Sequence, residues 1–123
     1  MDPMLTQANR VTTFQDSTGI TLCRMTGDLD AFTAGELREV AAGLRGAARV
    51  VFDLSDVPFI DSTGLGALIG GIRRLREAGG AVVVCSTRAP VVRLLRTVGL
   101  DRVVAVTRDR DEARRHLESL AVA

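Results

Sequence analysis

Two adjacent hydroxyls, Ser62 and Thr63, stand in the run Asp61-Ser62-Thr63-Gly64, where a charged loop gives way to an apolar, glycine-rich stretch. A serine so placed has three chemistries open to it. As a hydrolytic nucleophile it would need a strained G-x-S-x-G elbow and a nearby base. The elbow is missing, and the single histidine, His116, sits beside Arg114 and Arg115 in a segment that reads as a solvated helix face. As a helix N-cap, the hydroxyl would accept a hydrogen bond from an orphan backbone N–H. As a phosphate site, it would use the free N–H groups and favourable dipole of a helix N-terminus. From the residues alone the last two readings both stand.

Other candidate chemistries lack a part. Gly64-Leu65-Gly66-Ala67-Leu68-Ile69-Gly70 misses the dinucleotide fingerprint by one residue, because Ile69 holds the third glycine position. No acidic residue follows the next strand, which ends Val84-Cys85-Ser86-Thr87. Gly66 and Gly70, one turn apart, are instead expected to let a helix backbone approach the sheet. Asp53 closes a strand as a receiver-domain aspartate does, yet the first strands offer no acidic cluster for a metal and the chain has no lysine. Asp53 therefore reads as a loop-organising carboxylate. The missing lysine also excludes a P-loop and a Schiff base. Cys23 and Cys85 fit neither a zinc pair nor a redox C-x-x-C and read as buried, reduced thiols, although spacing alone leaves a disulfide open. No catalytic residue, metal ligand or cofactor is expected.

Composition narrows the setting. The chain has 123 residues, 46% hydrophobic and 25% charged, with sixteen arginines against fifteen acids. That suits one domain with its own core and is too apolar for disorder. There is no Trp or Tyr and there are only four Phe, so a base-stacking platform has little to be built from. The arginines are scattered among acids and form no basic face, so no nucleic-acid partner is expected. The longest uncharged stretch, between Asp61 and Arg73, falls well short of the roughly 20 residues that a membrane span needs. The N-terminal sequence has no apolar signal core, and a soluble, cytoplasmic protein is expected.

These residues must be held by elements that the pattern supplies. Residues 1–10 read as a flexible tail and 11–121 as one domain. Val11 to Gln15 and Ile20 to Thr26 form a hairpin about Asp16-Ser17-Thr18-Gly19. After the turn Gly27-Asp28-Leu29-Asp30, a helix opens on a Thr33/Glu36 capping box, with Leu37, Val40, Ala41 and Leu44 inward. Arg49 to Leu54 and Ala81 to Cys85 are unbroken apolar strands, as expected when both faces are buried. Between them Leu65, Leu68, Ile69, Ile72 and Leu75 mark a helix that ends at Gly79-Gly80. Pro90 opens a third helix, with Val91, Leu94, Leu95 and Val98 on one face. Val103 to Val106 is the last strand, and Arg110 to Leu120 the last helix, with Ala113, Leu117 and Leu120 inward. The order ββαβαβαβα demands crossover connections, hence an α/β fold with a mostly parallel mixed sheet and an N-terminal hairpin.

The run FIDSTGLGALIGGIRRLREAGGAVVV, with the upstream GDLD turn and the downstream RLLRTVGLDRVV, resembles the STAS domain of bacterial anti-sigma factor antagonists over nearly the whole chain. The resemblance implies a STAS-like fold and a binding protein, not an enzyme. The unphosphorylated form would bind an anti-sigma factor that is also a GHKL-type serine kinase and so free a sigma factor. The kinase would phosphorylate the serine after the motif aspartate, and a metal-dependent phosphatase would restore it. By position the acceptor is Ser62, and the partner-binding residues are Asp61, Thr63, Gly64, Leu65 and Gly66, with Asp28 in the first turn. The surface would comprise the Asp28 to Phe32 turn, the Val57 to Gly64 loop and the start of the second helix. Rival readings are a STAS module of a stress-signalling scaffold, the soluble subunit of a lipid transporter, or a small nucleotide-binding protein.

Overall fold

The computed structural model describes residues 10–122. The expected flexible tail, Arg10 apart, lies outside the described residues. Along the chain come β1 (Val11–Gln15), β2 (Thr21–Thr26), α1 (Ala31–Gly43), β3 (Arg49–Asp56), α2 (Ser62–Glu77), β4 (Ala81–Cys85), α3 (Ala89–Thr97), β5 (Ala105–Thr107) and α4 (Arg110–Val122). A 3-10 turn at Leu100–Arg102 precedes β5. The strands lie in the order β1-β2-β3-β4-β5. β1 runs antiparallel to β2, with Val11 opposite Met25, and β2 through β5 are parallel.

Handedness explains the layers. α1, α2 and α3 each join one strand to the next in the same direction across the sheet, so right-handed crossovers place all three on one face. Leu37, Leu68 and Leu95 pack there with Val50, Phe52, Val82 and Val84. α4 follows the last strand and returns over the other face, where Ala113 and Leu117 meet Leu22, Val51, Val83 and Cys85. Each central strand therefore buries alternate residues on both sides, which is why β3 and β4 read as continuous apolar runs.

The hairpin turn is organised by Asp16, whose Oδ1 accepts from Thr18 N at 2.8 Å, Thr18 Oγ1 at 2.6 Å and Ile20 N at 3.1 Å. The Thr18 hydroxyl, above all, holds the Asp16 carboxyl below its ordinary pKa.

Local readings shift in four places. α1 starts three residues early: Asp30 is the N-cap and Thr33 its reciprocal partner. Glu36, expected in the capping box, instead accepts from the backbone N–H groups of Arg10 and Val11 at 3.3 and 3.0 Å and ties α1 to β1. β3 continues to Asp56 because its carboxyl end still has β2 to pair with, and β5 begins only at Ala105 because the 3-10 turn consumes the residues before it. Leu120, expected inward, is 50% exposed, since the sheet face under α4 is already covered by Ala113 and Leu117.

The thiols sit on opposite faces. Cys23 belongs to the larger core and Cys85 to the one under α4. β3 lies between them, with Phe52 beside Cys23 and Asp53 beside Cys85. Two strand spacings amount to roughly 9–10 Å, beyond the ~7 Å Cα limit for a bridge. Both are free, and burial pushes both up to about 12. Alkylation of the native protein at neutral pH is therefore expected to be at least tenfold slower than of the unfolded chain. The sign for stability follows: between pH 9 and 12 only the unfolded chain loses these protons, so stability falls as pH rises through that window. Mass-spectrometric labelling with and without denaturant checks this; equal rates would contradict it.

Candidate partner-binding site

The site is built where β2 and β3 run out. The ladder between them continues past both strands as a single parallel bridge, Leu29 to Ile60. Gly27 N donates to Asp56 O at 3.0 Å, Leu29 N to Phe59 O at 2.9 Å, and Asp61 N back to Leu29 O at 3.1 Å. Gly27 takes the left-handed conformation (φ +80°) that lets the chain leave β2 and still make these bonds. Arg24 and Asp56 form an ion pair at the base of the two loops. The Arg24 hydrogen bond is the main reason the Asp56 carboxyl lies below its ordinary pKa. The GDLD turn and the loop before Ser62 are thus one backbone-bonded unit.

α2 starts on this unit. Its N-cap is Asp61, whose Oδ1 accepts from Gly64 N at 2.8 Å. The hydroxyls of Ser62 and Thr63 are therefore not needed for capping, and both residues are exposed on the first turn. Among the described residues no hydrogen bond engages the Ser62 hydroxyl. Asp28 is exposed on the facing turn, and its carbonyl accepts from Thr33 Oγ1 at 2.9 Å.

Gly64 makes the close approach possible. A Cβ on it would stand 2.1 Å from Leu29 O and 2.6 Å from Leu29 C. One further contact of this kind, 3.1 Å from the position of a Gly71 Cβ to Ala41 Cβ, packs α2 on α1. Gly66 and Gly70, expected to make the close approach to the sheet, face open space. The partner of the α2 backbone is α1 and its preceding turn, and the glycines that serve are seven residues apart on the inward stripe. Of the residues expected to bind a partner, Gly64 is buried, Leu65 half-buried and Gly66 exposed.

Two aromatic residues lie within the expected surface, although their residue type gives them no role there in the sequence. Phe32 is 93% exposed at the start of α1, and Phe59 is 55% exposed in the loop before Ser62. Half of the chain's four phenylalanines thus flank the site in solvent. Their one sequence signal is position: each follows a turn instead of a periodic apolar run. Asp53, by contrast, is where its type suggested, 2% exposed. It accepts from Ser55 N at 2.9 Å and Ser55 Oγ at 2.6 Å, and pairs with Arg110 Nε at 3.2 Å. It organises the root of the loop. Among the described residues no group of three or more His, Cys, Asp or Glu is placed to share a metal ion, and no helix is long and apolar enough to cross a membrane.

Comparison with known proteins agrees with this layout. The family model described as STAS domain matches residues 12–113. An anti-sigma F factor antagonist of Paenibacillus polymyxa is 32% identical over 91 residues, covering 72% of this chain and 78% of that one. An anti-sigma-B factor antagonist of Staphylococcus aureus is 30% identical over 82 residues, 65% of this chain and 76% of its own. Among solved structures, an anti-sigma factor antagonist from Mycobacterium paratuberculosis superposes with a TM-score of 0.76 at 25% identity, covering 88% of this chain and 94% of that one. The anti-sigma factor antagonist SpoIIAA in its unphosphorylated form gives a TM-score of 0.65 at 19% identity, covering 88% and 97%, a likeness of fold alone. With the family model spanning most of the chain, and the α/β sheet and its loops arranged as described, this protein belongs to the STAS-domain family of anti-sigma factor antagonists.

Proposed function

We propose that the chain, as one STAS domain over residues 11–121, works in the cytoplasm by binding and not by catalysis. Its unphosphorylated form binds an anti-sigma factor of the GHKL serine-kinase type and releases the sigma factor. The kinase then phosphorylates Ser62, which ends the binding, and a metal-dependent phosphatase removes the group. The names of the relatives support the anti-sigma factor as partner. The observation that carries the switch is the placement of Ser62: exposed on the first turn of α2, with the capping duty taken by Asp61.

A kinase needs an acceptor hydroxyl it can reach, and a partner needs a surface it can desolvate. The same few residues supply both. Asp28, Asp61 and Thr63 form the polar part around Ser62, with Leu65 at its edge, Gly66 leaving the next turn of α2 open to a partner, and Gly64 holding the loops together beneath. Phe32 and Phe59 supply the aromatic anchors that concentrate affinity in protein interfaces.

The direct test is phosphosite mapping after incubation with an anti-sigma factor kinase from the same genome and ATP. Modification is expected at Ser62 alone and is lost in Ser62→Ala. Thr63 should not replace it, because its β-branched side chain is stiffer at χ1. Modification elsewhere, or at Thr63 in the variant, contradicts the assignment.

A further inference from the structure

β4 and β5 are adjacent and parallel, yet the chain leaves them toward opposite faces. After β4 it enters α3 over the larger core, and after β5 it enters α4 on the other side. Such a divergence opens a crevice at the carboxyl ends of the two strands, the general place where open α/β sheets take small ligands. From these ends, at Ser86, Thr87 and Arg108, a cavity of about 670 Å³ runs along β5 and α3 as far as Asp101, within the ~300–1,000 Å³ of small-molecule sites. It lies between α3 and β5, on elements other than the loops that carry Ser62.

Its lining has a definite chemistry. Val92, Ala105 and Val106 make an apolar floor, and the cations are Arg93, Arg96 and Arg108 against one carboxylate, Asp101. Arg108 is already paired with Glu112 at 3.4 Å. Arg93 and Arg96, three residues apart on α3, have no ion-pair partner among the described residues. Two buried hydroxyls complete the wall. Ser86, 2% exposed, accepts from Arg88 N at 3.1 Å and fixes the loop into α3. Thr107 donates to Asp109 O at 3.3 Å. No aromatic side chain lines the cavity, so nothing there selects a flat ring by stacking.

We propose that this cavity binds a small organic phosphate. The phosphate is held by the guanidinium groups of Arg93 and Arg96, whose forked donors match phosphate oxygens, and the organic part rests on Val92, Ala105 and Val106.

The test is titration calorimetry of the full chain at physiological salt, with glucose 6-phosphate, ADP and inorganic pyrophosphate as probes. At least one organic phosphate is expected to bind saturably with Kd below about 1 mM and more tightly than pyrophosphate. The Arg93→Gln/Arg96→Gln variant should lose at least tenfold in affinity. Arg73→Gln/Arg74→Gln, which removes the same charge from α2, should lose less than twofold. Circular dichroism on both variants separates a lost site from a lost fold. The proposal is overturned if no probe saturates, if both variants lose affinity equally, or if pyrophosphate binds as tightly as every organic phosphate.

Discussion

Gly64→Ala is expected to destabilise the domain by about 2–3 kcal/mol, lowering Tm by roughly 10 °C, while Gly66→Ala two residues on is expected to stabilise it slightly. The new methyl in Gly64→Ala would stand 2.1 Å from the Leu29 carbonyl oxygen, and the obstacle is backbone, not a side-chain end that could rotate away. That carbonyl also accepts from Asp61 N. Moving it strains the bond that joins the GDLD turn to the Ser62 loop. Because the clash is with backbone, the overpacking cost lies at or above the upper end of its usual range, about 3–4 kcal/mol, against a helix-propensity gain of roughly 1 kcal/mol for replacing glycine by alanine. At Gly66 the same gain meets open space. Paired thermal melts check the contrast, and Gly64→Ala as stable as the parent would mean that the loops are not held this way.

Phosphorylation of Ser62 is expected to leave the fold in place and to weaken partner binding a hundredfold or more. The group adds about −1.5 to −2 charges and three acceptor oxygens. On the first turn of α2 that charge gains something like 0.3–1 kcal/mol from the helix dipole. The Asp61 carboxylate next door repels it, and its cap bond to Gly64 N keeps it there. The two effects are of similar size, so Ser62→Asp and the phosphorylated protein should melt within about 1 kcal/mol of the unmodified chain. At an interface no such balance exists. A partner surface shaped around a hydroxyl must desolvate a dianion, at a cost of several kcal/mol, and about 2.7 kcal/mol already corresponds to a hundredfold in affinity.

Much of the positioning of Ser62 was legible in its neighbours. The unbroken apolar run of β3 and the periodicity from Leu65 require a strand-to-helix turn between them, and a serine there must lie near a helix N-terminus. The hairpin was legible because Asp16 and Gly19 are turn formers for stated physical reasons. The start of α1 was not, because two capping patterns overlap. Asp30 with Thr33 and Thr33 with Glu36 have the same three-residue spacing, and only tertiary structure reveals that Glu36 is used by β1. The glycines show the same limit. Four of them stand at 64, 66, 70 and 71, and one-turn spacing favours Gly66 and Gly70. The pair in contact, Gly64 and Gly71, shares the inward stripe with Leu68 and Leu75, a seven-residue relation that outweighs adjacency. Strand order depends on crossover handedness and face, which a single chain's pattern does not encode. The expected surface includes Phe32 and Phe59, but their part in it is not legible, because an isolated aromatic has no periodicity and only its exposure separates an anchor from a core residue.

The most direct measurement is titration of the proposed anti-sigma factor partner with the unmodified chain, the Ser62-phosphorylated chain, Ser62→Asp and Ser62→Ala, each with its circular dichroism spectrum. The unmodified chain and Ser62→Ala should bind within a few fold of one another. The phosphorylated chain and Ser62→Asp should bind at least a hundredfold more weakly with unchanged spectra. Equal affinity for all four folded proteins would contradict Ser62 as the switch.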